Sequence, residues 1–188
     1  RMRPDMFIGT LGLDSVDAVV RESYAIVEFA YHAAMIHDVG RLAMIETMMV
    51  CGRDLMEEEV ESMRCHPEIG YKLVAGKKSV EAYKNVILGH HKWYDDSNGF
   101  PESISTWNVG EKTVTDLVAC VELLSDFMDS LFGRHIDREE LKEVIEQIEK
   151  VSGSRVASFF SWFLEVPEVA EDLRYLVTKG QEQVYAET

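Results

Sequence analysis

The chain places imidazoles and carboxylates at His37-Asp38, His66, His90-His91 and Asp126. Side chains of these types are the ones that collect more than one transition metal ion. Mixed nitrogen and oxygen donors of borderline hardness suit iron, manganese or zinc, whereas thiolates would argue for zinc or a cluster. A lone His-Asp dipeptide is commonly structural, because both residues suit helix ends and turns. Separate histidine clusters that converge on one constellation are harder to explain that way.

The segments around these residues have the helical period. From Ser15, apolar residues at Val16, Val19, Val20, Ile26, Val27 and Ala30 recur at helical spacing, and the stretch runs through Ala33-Ala34-Met35-Ile36 to a stop at Gly40. His37 and Asp38 then fall on its last turn. Asp54-Leu55-Met56-Glu57 has the form of a capping box opening a helix through Met63, and Pro67 suits the first turn of the next, so His66 sits at a junction. Ser79 can cap a helix containing Ala82, Val86 and Ile87 that delivers His90-His91 at its C-terminal end. Residues from Trp93 to Gly110 read as a long ordered loop. From Lys112 a helix with Val114, Leu117, Val118, Val121 and Leu124 on one face carries Asp126 and Asp129 near its end. Further helical segments start near Asp137, at Ser154 and after Pro167, and no alternating strand pattern is present. An all-α multi-helix bundle is expected.

At 188 residues and 21.4 kDa the chain suits a single domain spanning 1–188. It opens on Arg1 and is read as a fragment of a longer protein. Cys51, Cys65 and Cys120 form neither a disulfide framework nor a zinc ribbon, which fits a cytoplasmic location. Cys65 is read as a small buried hydrophobe. His32, five residues before His37, points to a different helix face. A net charge of −15 argues against nucleic-acid polymers and anionic membranes as partners, and no apolar run is long enough to cross a bilayer. A small phosphorylated ligand stays compatible, since bound divalent ions supply positive charge locally.

The blocks Ala33-Ala34-Met35-Ile36-His37-Asp38-Val39-Gly40-Arg41, His66-Pro67-Glu68-Ile69-Gly70, His90-His91 with Tyr94-Asp95 and Gly99-Phe100-Pro101, and Asp126-Phe127-Met128-Asp129-Ser130-Leu131 resemble the HD-GYP branch of the HD-domain phosphohydrolases. They occur in the family's order and cover most of the chain. The resemblance implies an HD-domain-like bundle that hydrolyses a cyclic dinucleotide, typically cyclic di-GMP, at two or three divalent ions, iron or manganese. It implies metal ligation by His37, Asp38, His66, His90, His91 and Asp126, with Asp38 as the bridging carboxylate; Asp129, three residues after Asp126, is read either as orienting a ligand or as a helix carboxylate near solvent. Arg41, Asp95, Gly99 and Arg134 match substrate-binding positions, and Asp38 and Arg41 match catalytic ones. A cyclase domain or a response regulator is the kind of protein partner that a noncatalytic module of this type would contact through its loop.

The sequence departs from the family's pattern at defined points. Arg41 replaces the usual lysine, keeping charge but giving up proton donation, since its pKa is above about 12. Phe100 replaces a tyrosine and loses its hydroxyl, Asp96 replaces a glycine, and only part of the basic run after Asp129 is kept in Arg134-His135-Ile136-Asp137-Arg138. The family's additional histidine ligand upstream of the His-Asp block has no counterpart before His32. These departures define an alternative, a weak or inactive signalling module that binds metal, nucleotide or a protein partner.

Overall fold

A computed structural model of the chain describes residues 3–45, 55–93, 97–102 and 109–130, the single positions 143, 146 and 167, and, from 109 to 130, the side chains of 110–119, 121 and 122. Its secondary structure is helical, with no strand among the described residues; Lys92 and Gly99 form an isolated antiparallel bridge. The all-α class follows. Two compact units divide at residue 118, the first being Arg1–Val118 and the second Ala119–Thr188. Among the described residues no helix is long and apolar enough to cross a membrane.

Ser15 opens α1 (Val16–Arg21) by accepting a hydrogen bond from the Ala18 amide at 3.3 Å, satisfying one of the orphan donors of the first turn. The single helix expected from Ser15 to Gly40 is interrupted twice. Glu22, at φ −98° and ψ 21°, separates α1 from α2 (Ser23–Ile36). Asp38, at φ −90° and ψ 11°, then turns the chain into a 3-10 segment, Val39–Met44, with the Arg41 amide bonded to the Asp38 carbonyl at 2.8 Å. His37 is therefore the C-cap of α2 and Asp38 lies outside it. Gly40 does not stop a helix; it sits buried within the 3-10 segment.

The next helices are α3 (Glu57–Met63) and α4 (His66–Val74). The N-cap of α3 is Met56, whose amide donates to Glu59 Oε2 at 2.8 Å, and Asp54 lies outside the described residues. Pro67 occupies the first turn of α4, where its missing N–H costs nothing. Ser79 does not cap the following helix. It lies in a turn, a short 3-10 segment Glu81–Tyr83 intervenes, and α5 (Lys84–Gly89) starts from Tyr83. The final described helix, α6 (Val109–Ser130), starts three residues before Lys112.

Phe29 and Ala33 of α2, Val86 of α5, and Val114 and Val118 of α6 form the core of the first unit, flanked by Phe7, Ala30, Ala34 and Tyr83. Phe29 and Tyr83 stack with centroids 5.2 Å apart. Burying a side chain of the Val or Phe class stabilises by about 1.5–3 kcal/mol, so this cluster anchors α2 to α5 and with them the histidines that follow each. α4 packs on both the 3-10 segment and α5. Two glycines allow this close approach: a Cβ at Gly40 would lie 1.9 Å from the His66 carbonyl oxygen, and one at Gly70 would lie 2.7 Å from Ile87 Cγ2.

Candidate metal centre

Three of the site histidines immediately follow or begin helices, and each caps one. His37 Nδ1 lies 2.6 Å from the Ala34 carbonyl, His66 Nδ1 lies 2.7 Å from the Met63 carbonyl, and His90 Nδ1 lies 2.7 Å from the Ile87 carbonyl. All three acceptors belong to last-turn residues of α2, α3 and α5, where carbonyls lack intrahelical partners. A carbonyl only accepts, so each Nδ1 carries the proton and donates it. In the neutral ring the lone pair is then left on Nε2. This backbone anchor is the arrangement that orients a metal-ligating histidine.

The Nε2 atoms converge. His66 Nε2 lies 3.1 Å from His90 Nε2 and 3.2 Å from His91 Nε2. Asp38 Oδ1 lies 3.1 Å from His66 Nε2 and 3.6 Å from His90 Nε2. His37 Nε2 approaches Asp38 Oδ2 at 3.6 Å. With both Nδ1 atoms protonated, the neutral His66 and His90 rings face each other lone pair to lone pair, which is no hydrogen bond. A cation resolves that repulsion, and 3.1–3.2 Å is close to the ligand-to-ligand spacing around one ion at about 2.1 Å. Asp38 Oδ1 adds a buried oxygen with no hydrogen bond of acceptable geometry. Asp38, His66, His90 and His91 each offer a ligand atom within 4.8 Å of the others. The donor set fits a divalent metal.

Burial and charge sharpen the donors. His66 and His90 are almost fully buried, at 3% and 1% exposure. Burial pushes the Asp38 carboxyl up, but His66, His90 and His37 in their protonated forms, together with Arg41, outweigh it and hold the group below the usual carboxylate range. Burial is the main reason that His90 is harder to protonate than a free histidine, with His37 and His66 adding to it against Asp38. The same cause, reinforced by His90, His66 and Arg41, lowers His91 to about 2.

These shifts predict how the metal-free protein responds to acid. His90 and His91 stay neutral in the fold while the unfolded chain takes up protons below about pH 6.5, so the unfolded state binds more protons and stability falls as pH drops. The loss begins near the ordinary histidine pKa and continues downward, by at most about 1.4 kcal/mol per pH unit for each histidine. Below the normal carboxylate range Asp38 adds a loss of the same sign. Urea melts of chelator-treated protein should show the midpoint decreasing from pH 7 to pH 5; a flat midpoint would contradict the buried, neutral pair.

The remaining site positions are distributed as follows. Arg41 brings Nε to 2.9 Å from Asp38 Oδ1, so its charge is delivered at the carboxylate. Gly99 has φ +87°, and a Cβ there would lie 2.0 Å from the His91 carbonyl oxygen, so only glycine lets the loop return so closely. Phe100 stacks on the His91 ring at 4.3 Å between centroids and meets His66 edge-on at 6.2 Å. That bracing role was not legible from the residue's type. Asp95, Asp96 and Arg134 lie outside the described residues; Asp126 and Asp129 fall on α6, with their side chains outside them. His32 is exposed, edge-on to Tyr31 and Tyr83. Cys65 is exposed rather than buried, because at the α3–α4 junction it is His66 that turns inward.

No family profile matches the chain, and neither does any solved structure. Three bacterial relatives are similar in sequence. The cyclic di-GMP phosphodiesterase response regulator RpfG of Xanthomonas campestris is 32% identical over 114 residues, 60% of this chain and 28% of the relative. A cyclic di-GMP phosphodiesterase of Thermotoga maritima is 26% identical over 143 residues, covering 74% of this chain and 34% of the relative. One from Vibrio cholerae is 33% identical over 120 residues, covering 60% and 23%. The chain thus spans between about a quarter and a third of the length of the curated relatives it matches. Similarity to these phosphodiesterases, the helical architecture of the described residues and the ordered histidine and aspartate blocks all agree with the resemblance of the chain to the HD-GYP family.

Proposed function

We propose that the chain is a single HD-GYP-type domain of a longer cytoplasmic protein and hydrolyses a cyclic dinucleotide, cyclic di-GMP first among them, with two or three iron or manganese ions. The observation that carries this reading is the convergence of bare imidazole nitrogens on Asp38, with His66 and His90 Nε2 only 3.1 Å apart. The activity for which the relatives are named supports the substrate. An exposed free thiol at Cys65 supports a reducing compartment. A response regulator or a cyclase domain is the protein partner of this reading; one relative is itself designated a response regulator.

His37, Asp38, His66, His90, His91 and Asp126 would hold the ions, with Asp38 shared between them. When bound, such ions polarise a phosphodiester and bring the pKa of water toward neutrality. The chain's own residues prepare the site for that chemistry. Backbone carbonyls fix the tautomers of His37, His66 and His90, so no ring has to reorient before it donates. Phe100 covers one face of His91 and holds the ring plane while excluding water from it. Arg41 supplies a fixed positive charge for a phosphate and, with a pKa above about 12, no proton. Its role is electrostatic, and Asp38 orients it. Gly99, Asp95 and Arg134 would shape the substrate side.

Anaerobic purification with metal analysis, followed by an assay of cyclic dinucleotide turnover, tests the reading. The expected result is stoichiometric iron or manganese with turnover of cyclic di-GMP; full loading without turnover of any cyclic dinucleotide would sink it. His90→Ala should lower metal content and abolish turnover while leaving the far-ultraviolet circular dichroism close to wild type. Unchanged loading in that variant would remove His90 from the ligand set.

A further inference from the structure

His37, His66 and His90 are each held by a carbonyl three residues back in the chain. His91 is gripped by a second segment. Lys92 and Gly99 form an isolated antiparallel bridge, and the Trp93 amide donates to the Asn98 carbonyl at 3.2 Å. In that register His91 lies directly opposite Phe100, and side chains alternate along each arm, so His91 and Phe100 share one face while Lys92 takes the other. The two rings stack accordingly, with centroids 4.3 Å apart and planes at 26°. Phe100 also meets the His66 ring edge-on at 6.2 Å. Gly99 approaches the backbone of the same histidine so closely that an added Cβ would lie 2.0 Å from the His91 carbonyl oxygen and 2.9 Å from its carbon. Two consecutive residues therefore hold the ring and the backbone of His91 together.

This grip differs in kind from the three carbonyl anchors. Those form with the helices they cap, whereas the Phe100 contact exists only when the turn over 98–101 is in place. The dependence runs both ways. The turn finds its stacking partner only when the His91 ring faces it. His91, once its Nε2 is engaged by an ion, can no longer rotate about its side-chain torsions, and the surface on which Phe100 rests is then fixed. Two events that each stabilise one shared contact are linked, and each strengthens the other by the same factor.

We propose that Phe100 is a positioning residue that links metal binding at the centre to the turn over 98–101, acting through the His91 ring. Gly99, which matches a substrate-binding position, lies in the same turn. A loaded centre thereby readies the substrate side, and an empty one loosens it. The proposal rests on the reading of His91 as a metal ligand.

Mn²⁺ titration of the 188-residue chain, with free Mn²⁺ read by electron paramagnetic resonance, tests the link without a turnover assay. Loss of one aromatic stack corresponds to about 2–10-fold in an equilibrium constant. Phe100→Ala should weaken Mn²⁺ binding by that factor, and Phe100→Tyr, which keeps the ring, should bind as wild type does. His91→Ala should weaken binding at least about 10-fold, and adding Phe100→Ala to it should change nothing more. The reciprocal arm is hydrogen exchange over 92–101 read by mass spectrometry, where the Trp93 and Gly99 amides are bonded to the Asn98 carbonyl and Oδ1. Saturating Mn²⁺ should slow exchange there in the wild type and in Phe100→Tyr, and leave Phe100→Ala unchanged. Wild-type Mn²⁺ affinity in Phe100→Ala, a Phe100→Ala effect that persists in the His91→Ala background, or exchange indifferent to Mn²⁺ in the wild type overturns the link and leaves the ligand set standing. Mn²⁺ binding untouched by His91→Ala removes His91 from the ligand set and overturns the link with it. Circular dichroism, expected at wild-type values, shows that each variant is folded.

Discussion

Gly40→Ala should unload the metal centre without touching any side chain in it. An added Cβ would lie 1.9 Å from the His66 carbonyl oxygen, 2.8 Å from the His66 carbonyl carbon and 2.8 Å from the Gly70 amide nitrogen. All three are backbone atoms, so no rotamer change relieves the clash. Restoring ordinary contact distance requires the 3-10 segment Val39–Met44 and the start of α4 to separate by more than 1 Å. Asp38 begins the first of these elements and His66 begins the second, and their ligand atoms are only 3.1 Å apart. The expected outcome is loss of most bound metal and of turnover, with a destabilisation of about 3 kcal/mol and a fall in Tm of about 6–12 °C. Gly76→Ala is the control. Gly76 has φ +75° but no atom within 4 Å of the added carbon, so backbone strain alone applies, at about 1 kcal/mol, and metal loading should be kept. Equal metal content in the two variants would show that the close packing at Gly40 does not hold the centre together.

What could be read from the sequence follows from what is local. His37, His66 and His90 lie beside the ends of amphipathic stretches, and their placement at helix termini needs only the period and the stop signals. That they cap those helices through Nδ1, and so aim Nε2 inward, is equally local, since each bond spans three residues. The break at Asp38 is different. A continuous helix to Gly40 satisfies every nearby propensity, and only the docking of Gly40 on the His66 backbone explains the turn into the 3-10 segment. Cys65 was misread for a related reason. Its type favours burial, but at the junction of α3 and α4 one neighbour must face in and one out, and His66 takes the inside. Phe100 looked like the loss of a hydroxyl, whereas its ring lies against His91 across a loop closed at Gly99. Ser79 had the chemistry of a cap, yet the 3-10 turn at Glu81–Tyr83 moved the start of α5 beyond its reach.

Asp38→Asn is expected to separate the stability of the fold from the loading of the site. Asp38 Oδ1 sits 3.1 Å from His66 Nε2 and 2.9 Å from Arg41 Nε. In the metal-free protein the carboxylate only accepts, so it cannot satisfy the lone pair on His66 Nε2 that the bond from Nδ1 to Met63 imposes. An asparagine amide nitrogen at the Oδ1 position can donate to that lone pair, but it then meets Arg41 Nε donor to donor, and the amide oxygen lies on the His37 side. Metal-free Asp38→Asn should therefore melt within about 1–2 kcal/mol of wild type, because removal of the buried charge and the bond to His66 offset the lost contact with Arg41. Metal should have the opposite ranking. A ligand that binds only the folded state at 100 times its Kd stabilises by about 2.7 kcal/mol. Added Mn²⁺ should raise the Tm of the wild type by several degrees on that basis and leave the variant unmoved, with turnover reduced at least about 1,000-fold, since the negatively charged donor of the proposed site would be gone. Thermal melts of both proteins with and without Mn²⁺ make the comparison in one experiment. An asparagine variant that gains as much as wild type from the metal would exclude Asp38 as a ligand and leave the histidine nitrogens as the centre's only donors among the described residues of the first unit.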